Sequence, residues 1–324
     1  MEEALVKGGG RVSCVKANNN IFLLASVFKI VSYIKRNNIQ LIHAHLPWSG
    51  VLARIAGRIS GVPVIYTEHN KQERYHPITR FLNTSTLSLN KRTIAVSLDV
   101  ANSIANHVSQ AASTTVAISN GVNADHFTRD ELSGLRVRDE LGIPRTAIVI
   151  GTVAVFREQK RLDLWVEIAH EIRKRFGNVH LVIVGDGPLR NLVHDKVRDL
   201  EMEDYVHFTG LKEEVRPFYS AMDIFMMTSI FEGLPIALLE AMSMECAVLS
   251  TNAGGVGQVI RNEVDGLVAP VAEAQMLVKL GSQLIEDKSL RQRLASSARL
   301  RVKTSFSIAA MVRATECLYQ DVLE

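Results

Sequence analysis

Two glutamates eight positions apart, Glu232 and Glu240, flank a Gly-Leu-Pro in the stretch SIFEGLPIALLEAM. Paired acids serve acid–base chemistry, metal binding or the recognition of sugar hydroxyls. Pro235 suits the first position of a helix, because its missing N–H would be unpaired there anyway. The amides of Gly233 and Leu234 then point out of a positive helix end, toward a phosphate. Glu232 lies in the loop before that end, and Glu240 about one and a half turns inside it. Carboxylates beside an anion site do not bind the phosphate itself. They accept hydrogen bonds from hydroxyls that accompany it, such as those of a ribose and a hexose, and that combination describes a nucleotide sugar. The plainer reading of the same pair is a capping acid followed by an ordinary helix acid.

Three other turns have the same character. VIVGDGPLRNLV passes from a strand through Gly185-Asp186-Gly187-Pro188 into a helix, a geometry that brings backbone N–H groups toward an anion and also occurs as simple turn architecture. In AVFREQKRLDLWVEIA, the cations Arg157, Lys160 and Arg161 cluster where a strand gives way to a helix. Phosphate needs point charges of this kind, and arginine adds a forked contact. In TNAGGVGQVI, Gly254 and Gly255 lack Cβ atoms, so the chain can double back and turn its amides outward.

The elements that must position these residues follow from composition and pattern. At 324 residues the chain exceeds the size at which one core keeps growing, so two domains are expected. Its 47% hydrophobic and 22% charged residues describe a globular protein. A net charge of +3 is too small for a nucleic-acid binder. Cys14, Cys246 and Cys317 lie far apart without CxxC spacing, which argues against a disulfide framework or zinc site and for a reducing cytoplasm. The apolar run IFLLASVFKIVSYIKR is broken by Lys29 and too short to span a bilayer. Its Leu24, Phe28, Val31 and Ile34 sit near helical spacing, as in a core-facing helix.

Short β-branched runs alternate with amphipathic stretches along most of the chain. The first part carries RVSCVKA, IQLIHAH, VPVIYTEH, RTIAVS and TTVAISNG. The second carries AIVIGTVAVF, HLVIVGDG, YVHFTG, IFMMTS, CAVLSTN and DGLVAP. Strands without polar alternation, separated by helices, predict parallel sheets covered on both faces. The alternation lapses between Phe127 and Thr146, where charges, Gly and Pro read as a linker with one short helix. The expected organisation is a domain over 1–127, a linker over 128–146, a second domain over 147–308 and a closing helix over 309–324. Each domain is a doubly wound α/β unit, and ligands sit outside the carboxyl ends of such strands, in a cleft between the two.

Together these segments resemble the retaining glycosyltransferases of GT-B fold, family 4, also called glycosyl transferases group 1. The resemblance rests on SIFEGLPIALLEAM, similar to that family's motif of two glutamates separated by seven residues, and on TNAGGVGQVIRNEVDGLVAP, VGDGP, FTG and SNGVN. In the first half it rests on LIHAHLPWSGVLARIAGRISGVPVIYTEHN and IAVS. These cover nearly the whole chain in the family's order. The resemblance implies two Rossmann-like domains facing across a cleft. Glu240 would hold the nucleotide ribose and Glu232 the donor sugar. The Gly233 and Leu234 amides ahead of Pro235, with Lys160, would hold the diphosphate, and Arg157, Gly185, Gly187 and Gly210 would complete the donor site. His69, ending the VIYTEH strand, matches a family histidine that faces the reaction centre. No cofactor and no bound metal is implied, the nucleotide-diphosphate sugar being a substrate. The closing SIAAMVRATECLYQDVLE resembles the family's last element, which crosses back onto the amino-terminal domain.

This chain departs from the family pattern in four places. The family's arginine two positions before Arg157 is Val155 here, and the glutamate after the Gly-Gly turn is Gln258. The Gly-x-Pro after the second-glutamate helix is Glu245-Cys246-Ala247. Family members open with a strand, a Gly-rich loop, a helix and a second strand, whereas this chain begins MEEALVKGGG, so its amino-terminal domain is expected to lack the first strands. Gly8-Gly9-Gly10 reads as a turn, not as that loop.

The implied chemistry is transfer of a hexose to a hydroxyl of a glycan, lipid-linked or small-molecule acceptor, with retention and no protein nucleophile. Helix-end amides and Lys160 would stabilise the leaving diphosphate. His69 would orient or polarise, and His43 and His45, alternating on one strand, are not expected both to face the cleft. Lys71, Arg74 and Arg80 lie in a basic stretch that reads as a solvated helix, with an anionic membrane or an anionic acceptor as the alternatives. The expected location is cytoplasmic, with a peripheral position on the inner face of the membrane as an option. Against this stand a glycosidase using the two acids, a GT-B epimerase, and an inactive nucleotide-sugar-binding protein. A dehydrogenase is disfavoured, since no G-x-G-x-x-G follows a first strand.

Overall fold

The computed structural model describes residues 2–14, 23 and 25–324. In the first lobe, strands β1 (Ile42–His45), β2 (Val64–Glu68), β3 (Arg92–Ala95) and β4 (Thr115–Ala117) pair in parallel in the order 1-2-3-4. Its helices are α1 (Glu2–Lys7), α2 (Val27–Arg36), α3 (Pro47–Ser60), α4 (Pro77–Thr86) and α5 (Leu98–His107). Successive side chains on a strand point to opposite faces. Val64 and Tyr66 of β2 therefore join Ala53 of α3 and Val100 of α5 on one face, while Ile65 and Ile94 point to the other.

The second lobe has a parallel sheet of β5 (Ile148–Val153), β6 (Val179–Val184), β7 (Val206–Gly210), β8 (Ile224–Met227), β9 (Ala247–Thr251) and β10 (Leu267–Ala269), in the order 10-9-8-5-6-7. Around it lie α6 (Glu131–Glu140), α7 (Leu162–Phe176), α8 (Arg190–Asp199), α9 (Arg216–Ala221) and α10 (Ile236–Ser243). They are followed by α11 (Val256–Val259), α12 (Met276–Glu286), α13 (Lys288–Ser305) and α14 (Ile308–Leu323). β8 and β9 are buried along their whole length, as strands covered on both faces must be.

The linker helix α6 starts at an Asp130 cap that accepts from the Leu132 amide. It docks on the second lobe, where Arg138 donates to Ala221 O at 2.7 Å and pairs with Asp223 at 2.8 Å. The last helix, α14, returns to the first lobe. Its Met311, Leu318, Tyr319 and Val322 pack on Ile65, Ile94 and Ile118, and Arg92 pairs with Asp321 at 2.8 Å. The two segments that cross between lobes run side by side, with the Val122 and Ile308 amides donating to Phe306 O and Val122 O. One continuous apolar cluster contains both Val96 of the first lobe and Leu234 of the second.

Three expectations change. No strand forms at Arg11–Cys14 of RVSCVKA, and residues 15–17 lie outside the described residues. The turn at Gly8-Gly9, with Gly9 at φ +84°, closes α1 rather than preceding a strand. In α2 the buried side is Val27, Val31 and Ile34, whereas Phe28 is 74% exposed, and Leu24 lies outside the described residues. Among the described residues no helix is long and apolar enough to cross a membrane.

Candidate active site

The strand order of the second sheet runs outward from β5 through β6 to β7, and from β8 through β9 to β10 the other way. Loops leaving β5 and β8 diverge to opposite faces, which opens a crevice at their carboxyl ends. Here the two loops are laced together. The Ile230 amide donates to Gln159 O at 2.8 Å, and Thr228 Oγ1 donates to Lys160 O at 2.9 Å. Arg161 returns the contact, its Nε donating to Thr228 O at 3.0 Å from a left-handed backbone at φ +45°. Its guanidinium is thus spent on protein carbonyls rather than offered to a phosphate.

The lacing carries Lys160 onto Glu232, with Nζ 2.5 Å from Oε1. Ser229 Oγ donates to the same oxygen at 2.6 Å, and Glu232 is only 6% exposed. Sequence reasoning gave these residues separate duties; the structure joins them into one shielded ion pair. A buried pair of this kind is held in place because removing either partner strands the other charge.

Glycines let the β8 loop sit where it does. A Cβ on Gly254 (φ +56°) would lie 2.1 Å from Glu232 O, and one on Gly255 would lie 2.0 Å from Gly233 O. The Gly255 amide donates to Glu232 O at 3.0 Å, so it supports the loop instead of facing a ligand. On the opposite side, a Cβ on Gly233 would lie 2.2 Å from His69 O in the first lobe. Asn120 Nδ2 also donates across to Leu234 O at 3.1 Å. Among the described residues, neither the Gly233 nor the Leu234 amide has a protein acceptor. Pro235, expected as the first helical residue, is instead the cap, because its ψ of 116° is extended and α10 begins at Ile236.

Glu240 lies in the second turn of α10. It accepts from the Tyr219 hydroxyl at 2.9 Å through Oε2, its one hydrogen-bond partner among the described residues. Burial pushes its carboxyl above the ordinary range, and the Tyr219 bond offsets part of that rise.

Gly185 and Gly187, expected at the donor, spend their amides within the protein. The Gly185 amide donates to Gly210 O at 2.9 Å, and the Gly187 amide to Asp186 Oδ1 at 2.7 Å. A Cβ on Gly185 would meet Ala154 O at 2.0 Å, and one on Gly187 would meet Phe156 N at 2.6 Å. Gly185 and Gly187 thus permit close packing of the turn on the chain leaving β5, and their amides are already taken, whereas a Cβ on Gly210 (φ +69°) would meet nothing within 4 Å. Arg157 is exposed with no protein partner among the described residues; Val155 is likewise exposed, and Phe156 between them is buried.

The first lobe brings histidines to the cleft. His43, His45, Thr67 and His69 line a cavity of about 460 Å³ together with Ile94, Val96, Ile118, Asn120 and residues of α14. Of the predicted site residues, His69 alone lines it. The expectation that His43 and His45 could not share the cleft is corrected, since residues two apart on a strand lie on one face. Their ring centroids are 4.4 Å apart. His43 Nδ1 is 2.5 Å from Tyr319 Oη and its Nε2 2.7 Å from Thr67 Oγ1. Burial, then the neighbouring histidines, holds His43 down to about 4. His69 is lowered as well, by burial and by His45. The loop after His69 is pinned by Glu68, fully buried, which accepts from Tyr75 Oη at 2.5 Å, Gln72 Nε2 at 2.6 Å and Asn83 Nδ2 at 2.9 Å. The HAH spacing was the available signal for His43 and His45; nothing local to Glu68 or Tyr319 announced their partners.

The chain matches the family described as glycosyl transferases group 1 over residues 135–301, and glycosyltransferase family 4 over residues 2–126. It is 24% identical over 310 residues to the UDP-Gal:alpha-D-GlcNAc-diphosphoundecaprenol alpha-1,3-galactosyltransferase of Escherichia coli, covering 93% of this chain and 80% of that one. It is 30% identical over 177 residues to the lipopolysaccharide core biosynthesis glycosyltransferase LpsE of Rhizobium meliloti, covering 55% and 51%. Its fold is similar to that of Anabaena Alr3699/HepE in complex with UDP and glucose, with a TM-score of 0.88 at 20% identity over 98% and 88% of the two chains. With its second lobe matched from 135 to 301 and its first by the family 4 profile, this chain belongs to the glycosyl transferases group 1 and is a glycosyltransferase of GT-B fold.

Proposed function

We propose that this enzyme moves a hexose from a nucleotide-diphosphate sugar to a hydroxyl of a glycan, lipid-linked or small-molecule acceptor, with retention and without a metal. The observation that carries the reading is the meeting of the β5 and β8 loops at the strand-order reversal. It puts the Lys160–Glu232 pair beside two amides without protein acceptors at the start of α10. Breaking the anomeric carbon–oxygen bond leaves negative charge on the diphosphate. The Gly233 and Leu234 amides and the Lys160 ammonium stabilise that charge as it develops. Glu232 accepts from a donor-sugar hydroxyl while its other oxygen keeps Lys160 and Ser229. Glu240 accepts from ribose hydroxyls, and Arg157 reaches the phosphates from the exposed loop after β5. Gly185 and Gly187 contribute by packing the floor under the donor, and Gly210 by the carbonyl that the Gly185 amide meets. No side chain acts as nucleophile, and the leaving phosphate takes the proton of the attacking hydroxyl.

A uridine nucleotide is the first probe to use, since the Escherichia coli relative is named for UDP-Gal and the Anabaena structure holds UDP and glucose. The same relative is named for a diphosphoundecaprenol acceptor. A lipid-linked acceptor, met by a cytoplasmic enzyme resting on the membrane, agrees with the exposed Ile78 and Phe81 beside Arg74 and Arg80. Lys71 is less available, being paired with Asp99 at 3.0 Å. The test is a panel of UDP- and GDP-hexoses with excess EDTA, read by nucleotide release and thermal shift. Release from one donor class is the expected result. Binding without release, even to water, would instead identify a nucleotide-sugar-binding protein, and no response to either nucleotide would refute the donor site.

A further inference from the structure

We propose that His45 is a positioning residue for His69, deciding which ring nitrogen His69 turns to substrate; the inference rests on the transfer reaction proposed above. His45 ends β1 opposite Thr67 of β2, and His69 lies two residues beyond Thr67, just past the end of that strand, with both rings lining one cavity. His45 Nδ1 and His69 Nε2 are 3.0 Å apart. One hydrogen lies between them, so one nitrogen donates and the other accepts. His69 Nε2 is thereby committed to protein. Only Nδ1 remains for a ligand, and its role as donor or acceptor is set by the direction of the His45 bond.

His45 is itself held by a fixed plate. Both nitrogens of His43 are engaged, by Tyr319 of α14 and by Thr67 of β2, and the His43 ring stands 4.4 Å from that of His45, tilted by 32°. The cavity that these rings line touches the donor side, because Gly233 packs on His69 O and Asn120, which also lines the cavity, holds Leu234 O. A change in the angle of the His69 ring therefore acts at the edge of the proposed reaction centre without altering the Lys160–Glu232 pair.

Substitutions at position 45 separate ring, Nδ1 and Nε2. Phenylalanine keeps the ring against His43, asparagine returns a polar atom near the place of Nδ1, and glutamine reaches only toward that of Nε2. The readout is UDP release, with water as acceptor, from the UDP-hexose that the panel selects. The UDP-induced thermal shift reports folding and donor binding for each variant. We expect His45→Phe and His45→Gln to lower kcat about 10- to 100-fold, with donor KM changed less than about twofold, as for a misoriented group. His45→Asn is expected to recover most of the loss. The double variant His45→Phe with His69→Ala should be no slower than His69→Ala alone. Wild-type turnover by His45→Phe, equal loss in His45→Asn and His45→Gln, or multiplicative losses in the double variant would each overturn the role of His45 while leaving the transfer reading intact. Full turnover by His69→Ala, or no release by the wild type, would overturn the underlying reading as well.

Discussion

Glu240→Gln gives the most direct measure of the donor site. The wild-type carboxylate is partly buried, pushed above its ordinary range, and has Oε1 without a protein partner among the described residues. Glutamine keeps an acceptor for the Tyr219 hydroxyl, which also donates to Ala237 O at 3.2 Å, so the unliganded fold should be unaffected. On the proposed reading, what is lost is the charge on the bonds to two ribose hydroxyls, each of which is worth about 1.5–3 kcal/mol when made to a charged group. Taking about 2 kcal/mol in total as the net loss gives about a 30-fold weaker Kd. At UDP of about 100 times the wild-type Kd, binding stabilises the wild type by about 2.7 kcal/mol. That is a Tm rise of about 5–11 °C at ~2–4 °C per kcal/mol for a chain of this class. The variant, at about three times its own Kd, retains about 0.9 kcal/mol and a rise of about 2–4 °C. Differential scanning fluorimetry with and without UDP checks this, and isothermal titration gives the Kd ratio. A variant that keeps the full UDP shift would refute the ribose role of Glu240.

Other outcomes follow from single positions. Gly233→Ala places a Cβ 2.2 Å from His69 O, so it should cost about 1–3 kcal/mol in thermal unfolding and slow UDP release; unchanged Tm and rate would refute the tight approach of the lobes. Glu245→Gly relieves a left-handed residue at φ +55° and should raise Tm by about 2–4 °C for about 1 kcal/mol gained, since the Arg299 contact at 3.9 Å contributes little; a lower Tm refutes it. His43 is held at about 4 against an ordinary 6.5, so the folded state keeps it neutral where the unfolded chain already binds a proton. Its contribution is full above 6.5 and is lost as pH falls from 6.5 toward 4. Allowing for its partial exposure, the loss is about 1–2 kcal/mol, and His43→Gln should flatten the acid side of the Tm–pH curve; an unchanged acid limb refutes this.

Much of the fold was legible because its cause is local. Runs such as HLVIVGDG and CAVLSTN are apolar without alternation, and burial on both faces is the condition that such runs satisfy. The linker helix and the closing helix carried their own caps, Asp130 and Ser307. The motif of Glu232 and Glu240 was equally local, since both acids belong to one loop and the helix that it enters.

What the sequence by itself determined, then, is where the strands and helices form, RVSCVKA excepted, and which loop carries the acids, because each depends on neighbours a few positions away. Tertiary structure alone decided the strand order that brings the β5 and β8 loops together, and with it the pairing of Lys160 with Glu232 across 72 positions. It also decided that the amides of Gly185 and Gly187 are spent on protein acceptors, one of them on Gly210 O, and that Tyr319 of the last helix holds His43 of the first strand. Hydrogen-bond and ion-pair partners are set by distance in space. In a parallel α/β fold every neighbouring strand is reached through a long crossover, so residues that meet at the carboxyl edge are remote along the chain.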